Sequence, residues 1–136
     1  MGRRRRVELI LMKLVAILFL GLVVAIITAA NFGWAEPIFA AVRAVPLSDK
    51  ICHFLLLGGL CYCIATAITV DTQEKQRRVA LCTALGLMAI STVEEFSQIF
   101  ISSRTFSPYD LFSNYAGISF FGWLAYRKPR KHEPGQ

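Results

Sequence analysis

Glu95 and Gln98 stand three residues apart inside an otherwise apolar run, where a carboxyl has to be neutral, paired or wet. His53, Lys50, Asp110 and Asn114 lie in or at the edge of other apolar runs, and Arg104 sits in a short polar break. Ionisable groups in such runs are costly and face a protein interior or a wet cavity. Three chemistries fit these residue types. Lys50 and Arg104 would attract an anionic group while Glu95, Gln98 and Asn114 supply fixed hydrogen bonds. A carboxylate–histidine pair, Glu95 with His53, would serve as acid and base for a hydrolase or transferase. Alternatively, the polar groups only lock helices together, as in an accessory subunit of a membrane complex.

Other chemistries fail on inventory. A serine hydrolase needs a framed serine with a histidine base, yet His53 is the one histidine in an apolar run and His132 lies in the tail. Paired-histidine phosphatases fail for the same shortage. His53, Glu95 and Asp110 offer metal-ligand types without diagnostic spacing, so no metal site and no cofactor is expected. Plainer readings compete at several positions. Asp49 with Ser48 could cap a helix, Ser107-Pro108-Tyr109-Asp110 has the form of a helix start, and Lys50 and Arg104 could anchor at an interface. Spacing alone does not choose between Glu94 and Glu95.

The elements that position these residues are helices. The chain is 55% hydrophobic and 18% charged, against about 25% charged in a soluble domain, and its charges are bunched. A membrane-crossing helix needs about 20 apolar residues. Residues 9–30, 51–70, 79–101 and 108–126 supply four such runs, and the expected fold is an all-α bundle of four transmembrane helices. Residues 1–8 form a basic start, 9–126 the membrane domain and 127–136 a basic tail. The first run, about 22 residues, exceeds the 7–15 of a signal-peptide core, so it is read as a retained span. Pro37 and Pro46 bracket a short amphipathic stretch, and residues 71–78 read as a polar loop. The cysteines Cys52, Cys61, Cys63 and Cys82 read as buried structural thiols.

Lys and Arg set the orientation. The first residues, the loop with Lys75, Arg77 and Arg78, and the tail are basic, whereas Arg43, Lys50 and Arg104 are nearly all that the alternate segments carry. Both termini are therefore expected in the cytoplasm, and Lys50, His53, Glu95, Gln98, Asp110 and Asn114 all fall toward the opposite face. Trp34 and Trp123 fit interfacial belts. The basic ends flank apolar spans without interleaved aromatics, which points to membrane lipids and away from nucleic acid.

Asp49-Lys50-x-x-His53-Phe54, followed by Glu95-x-x-Gln98, Arg104, Asp110, Asn114 and Gly117, resembles the VanZ-like family of small bacterial membrane proteins. The likeness covers residues 46–122, and its acidic residue three before the glutamine selects Glu95. The resemblance implies a multi-pass protein of the bacterial cytoplasmic membrane, linked to the cell envelope. The family's founding member is associated with resistance to the glycopeptide teicoplanin. No established reaction comes with the motif. The function expected is binding or handling of an envelope component, a lipid head group or a lipid-linked glycan precursor. The site would be Lys50, His53, Glu95, Gln98, Arg104, Asp110 and Asn114, with Glu95 and His53 as the candidates for catalysis.

Overall fold

A computed structural model describes residues 3–34, 36–68, 72–101 and 106–129, all helix and connecting turns. The order is α1 (Arg3–Asn31), α2 (Glu36–Ala44), α3 (Ser48–Ala67), α4 (Gln73–Ser97), a 3₁₀ turn (Gln98–Phe100) and α5 (Pro108–Arg127). The side chains of Arg3 to Arg6, the loop containing Arg104, and the end of the tail lie outside the described residues.

Among the described residues, three helical stretches are long and apolar enough to cross a membrane: Val7–Asn31, Ser48–Ala67 and Gln73–Phe100. α5 has the length, but Asp110, Asn114 and its serines and tyrosines make it less apolar than the others. The surface supports a bilayer environment. Leu85, Ile90, Val93, Phe100 and Phe112 are among many large apolar side chains left exposed. In water they would form adhesive patches, whereas lipid tails solvate them without cost.

α3 is the central element, packing against α1, α4 and α5, and α4 also packs on α5. Its apolar window is 28% buried, against 11% for α1, which leans on α3 from outside. Val23, Leu60, Cys61, Leu87 and Ile118 form the main core, and Ala65, Ala80 and Ala125 a smaller one. Small residues set the tightest approach. A methyl group on Gly117 would collide with the Phe54 carbonyl, and one on Gly58 would lie 2.7 Å from the Gly117 carbonyl oxygen. Without those side chains the backbones of α3 and α5 come close enough for short polar side chains to meet between them.

Local signals fix the helix ends. α1 stops at Gly33, whose φ of 69° suits a residue without a Cβ. The Trp34 N–H then donates to Ala29 (2.7 Å) and the Gly33 N–H to Ala30 (3.2 Å), closing the last turn. The amphipathic stretch forms α2, as its prolines suggest. Neither Ser48 nor Asp49 caps α3. Its N-cap is Leu47, with no side-chain cap bond, because the Ser48 hydroxyl donates back to the Val42 and Val45 carbonyls at the end of α2. Asp49 thereby stands in the first turn without a capping role.

The segment expected as a polar loop is largely helix. Thr72 caps α4 by accepting from the Lys75 N–H, and the helix runs from Gln73. Its first turns hold the neighbouring helix ends. Gln76, buried, donates to the Ala65 carbonyl (2.9 Å), and Gln73 donates to the Lys128 carbonyl (3.2 Å). Arg77 covers the Tyr126 ring and Lys128 the Tyr62 ring. Composition marks such a segment as polar, but its capping threonine and its partners on other helices decide that it is ordered. The cysteine expectation also needs correction: Cys61 is buried and Cys63 partly so, while Cys52 and Cys82 are exposed.

Candidate functional site

α3 and α5 begin at the same end of the molecule, and their first turns face each other. Lys50, in the first turn of α3, donates to Asp110, in the first turn of α5, and to Asp49 at 3.2 Å. One turn deeper, His53 Nδ1 lies 3.1 Å from Asn114 Oδ1. The spacings Lys50–His53 and Asp110–Asn114 are each about one helical turn, so two rungs form between two parallel helices. Gly117, a further turn along the same stripe, is the point of backbone contact with α3. Both helices direct their positive N-terminal ends here, which favours carboxylates in their first turns.

His53 Nε2, on the other side of the ring, faces Asp49 Oδ1 and Asp110 Oδ2, each at 3.9 Å. Asp49 and His53 are four apart on α3 and share a face. Asp49, Lys50 and His53 remain 35%, 32% and 18% exposed, whereas Asp110 and Asn114 are buried. The cluster therefore opens outward at Asp49 and Lys50 and closes at Asn114.

Glu95 is fully buried near the end of α4. Its Oε1 accepts the Ser107 backbone N–H at 2.9 Å, and Gln98 Nε2 donates to Glu94 Oε1 at 2.9 Å and approaches Glu95 Oε2 at 3.5 Å. Ser107 is the N-cap residue of α5, so Glu95 ties the end of α4 to the start of the next helix. A helix leaves its first N–H groups without intrahelical partners, and a buried carboxylate is a strong acceptor for one of them. Glu94 is only partly buried, so burial separates the two glutamates that spacing could not.

The expected site residues thus divide. Lys50, His53, Asp110 and Asn114 meet directly. Glu95 and Gln98 form an adjoining clasp, within electrostatic range of His53 and Asp110 but with partners of their own. Arg104 lies outside the described residues. Lys50 and Arg104 are expected to balance Glu95 and Asp110; of these, Lys50 meets Asp110, and its ammonium is shared with Asp49. The metal-ligand types that gather are likewise Asp49, His53 and Asp110. Asp49, read as a cap, belongs to the cluster, and its i, i+4 relation to His53 was the available signal. Thr92 and Tyr115, whose hydroxyls meet at 2.6 Å between α4 and α5, gave none.

No model of a known protein family matches the chain, and no solved structure matches it. The chain is similar to an uncharacterized protein of Schizosaccharomyces pombe, 29% identical over 98 residues. The match covers 71% of this chain and 55% of that protein, so the chain spans about half the length of the curated relative it matches.

Outside this cluster, the described residues form an open groove of about 470 Å³ between α1 and α3, lined by Lys13, Ala16, Ile17, Leu20, Ile64, Ala67 and Ile68. It lies at the opposite end of α3 from Lys50 and His53 and contributes nothing to them.

Proposed function

We propose that the chain is a VanZ-like integral membrane protein of the cell envelope, with four crossings, both termini cytoplasmic and the α3–α5 polar cluster on the outer side. There it holds the polar head of an envelope lipid or lipid-linked glycan. Support for the fourth crossing comes from packing. α5 starts where Glu95 ends α4 and finishes where Gln73 begins it, so a bilayer crossed by α4 is also crossed by α5. Support for the outer position comes from the basic residues Lys75, Arg77, Arg78, Arg127 and Lys128 at the other end.

The observation that carries the binding role is a half-open polar cluster set into helices whose remaining outward surface is apolar. A lipid supplies both halves of that pattern: tails for the apolar surface and a head for Asp49, Lys50 and His53. Lys50 is committed to two carboxylates, so the group recognised offers hydroxyl or amine donors as well as an anion. A glycan or glycerol head does so; a bare phosphate does not. The antibiotic side of the resemblance finds no support in the comparison with known proteins, whose relative belongs to a fission yeast. A catalytic Glu95–His53 pair finds none in the contacts, because each takes separate partners.

Native mass spectrometry of the detergent-purified protein tests the reading, with phosphatidylglycerol, phosphatidylcholine and a polyprenyl-diphosphate glycan as probes. The first and third should be retained over phosphatidylcholine, and Lys50→Ala and Arg104→Ala should weaken them. Equal retention of all three, unaltered by either substitution, would remove the head-group role.

A further inference from the structure

We propose that Asp49, His53 and Asp110 form a binding site for a divalent transition-metal ion, with Asn114 and Lys50 orienting the ligands. Two ligands come from adjacent turns of α3 and the third from α5, and the nearest ligand atoms of the three residues all lie within 4.8 Å of one another. The inference does not depend on the lipid-binding role, since it concerns a cation held by the protein alone.

The orientation of His53 is the decisive feature. Asn114 Oδ1 can only accept, so the 3.1 Å contact requires His53 Nδ1 to carry the proton. In the neutral ring, Nε2 then presents a lone pair directly to two carboxylate oxygens, Asp49 Oδ1 and Asp110 Oδ2, at 3.9 Å each. Three electron-rich atoms then face one another. A metal ion shared by the three makes that arrangement favourable, as a second proton on the ring would for each carboxylate singly. A ligating histidine whose other nitrogen is held by a fixed acceptor is the usual outer-shell pattern of metal sites.

Lys50 does not fill the same position. Its ammonium meets Asp49 Oδ2 and Asp110 Oδ1, the oxygens turned away from His53. It therefore holds both carboxylates while leaving Oδ1 of Asp49 and Oδ2 of Asp110 for the ion. Metal–oxygen and metal–nitrogen bonds of about 2.0–2.2 Å put tetrahedral ligand atoms about 3.4 Å apart. Each carboxylate needs to close on the imidazole by roughly half an ångström, and the two carboxylate oxygens, which lie within 4.8 Å, need to close on each other by up to about 1.4 Å. Three protein ligands leave a position open toward Asp49, the most exposed of the three. One imidazole with two carboxylates suits zinc or manganese better than magnesium or calcium, which favour all-oxygen shells.

The test is Zn²⁺ titration of the detergent-purified full chain by calorimetry, with Co²⁺ absorption as a second readout. Exposed Cys52 and Cys82 are first changed to serine so that thiols do not contribute. The expected result is one ion per chain and a Co²⁺ spectrum typical of nitrogen and oxygen ligands. His53→Ala and Asp49→Asn should abolish both signals, and Asn114→Ala should weaken binding about tenfold through loss of ring orientation. Glu94→Gln, which removes a charge outside the triad, should leave binding within about twofold, below the effect of a lost outer-shell partner. Circular dichroism and size exclusion show that each variant is folded, and Asp49→Asn, at a partly exposed position, is the informative one if His53→Ala misfolds. Absence of stoichiometric Zn²⁺ binding, or binding unchanged by Asp49→Asn and His53→Ala, would overturn the proposal.

Discussion

The His53 imidazole and the Asn114 side-chain carbonyl meet at 3.1 Å between α3 and α5, and this contact decides which ring nitrogen faces the carboxylates. Asn114 is almost completely buried, so its oxygen has no water to fall back on. The contact therefore acts both as a tie between two helices and as a lock on the tautomer.

That lock can be observed directly. The chain has two histidines, His53 and His132, so a ¹⁵N-histidine spectrum contains two resolvable rings. His53 should show a protonated Nδ1 in the wild type. Asn114→Ala should abolish that state and reduce stability by about 1 kcal/mol, the net worth of one buried hydrogen bond. A spectrum unchanged by the substitution would show that the ring is set by something other than Asn114.

Glu95 should behave as a clasp whose acceptor oxygen matters more than its charge. Glu95→Gln keeps an oxygen for the Ser107 N–H, and thermal unfolding in detergent should move little. Glu95→Ala strands that N–H beside Gln98 and should cost about 1–3 kcal/mol, the penalty for an unsatisfied buried donor. If Glu95→Gln is as damaging as Glu95→Ala, the negative charge itself is required and the clasp is an incomplete description.

Much of this arrangement was legible in the sequence, for identifiable reasons. Apolar run length located the three helical stretches able to cross a membrane, and spacing along α3 and α5 placed Lys50 with His53 and Asp110 with Asn114 on shared faces. Pairings between helices were less legible, because they depend on rotation about each axis, which spacing along one helix does not encode. Spacing does not say which carboxylate Lys50 takes, and it reaches Asp49 and Asp110. At Asp49 the sequence leaves a capping reading open, because its neighbour Ser48 and the helix start favour one. The cap failed because the Ser48 hydroxyl turned back to α2. The start of α4 was hidden for a different reason: Gln76 is polar but spends its side chain on the Ala65 carbonyl.

The glycine contact beneath the site supplies a packing test. Gly117→Ala forces a methyl group against the Phe54 backbone, where no flexible side chain can yield. Overpacking of this kind costs about 1–3 kcal/mol, and it should separate α3 from α5 and disturb the polar rungs above. Gly86→Ala is the matched control, since its Cβ would meet nothing within 4 Å. In a helix interior that change should stabilise by roughly 0.5–1 kcal/mol. Equal melting temperatures for the two variants would mean that the close approach of the helices is not limiting.

Orientation in the membrane is the last expectation, and the helix packing makes it sharper than a count of spans. Gln73 reaches the Lys128 carbonyl, so the start of α4 and the end of α5 lie at one end of the bundle. α2, joined directly to the start of α3, lies at the other. With Cys52 and Cys82 changed to serine, Ile38→Cys in α2 should react with a membrane-impermeant maleimide added to intact cells. Lys75→Cys and Lys128→Cys should react only after the membrane is opened, and the two should agree with each other. Reaction of both from outside, with Ile38→Cys protected, would invert the protein and place the polar cluster toward the cytoplasm. Disagreement between Lys75→Cys and Lys128→Cys would be more damaging. It would mean that α5 does not follow α4 across the bilayer, and the two rungs from α3 to α5 could not form as described.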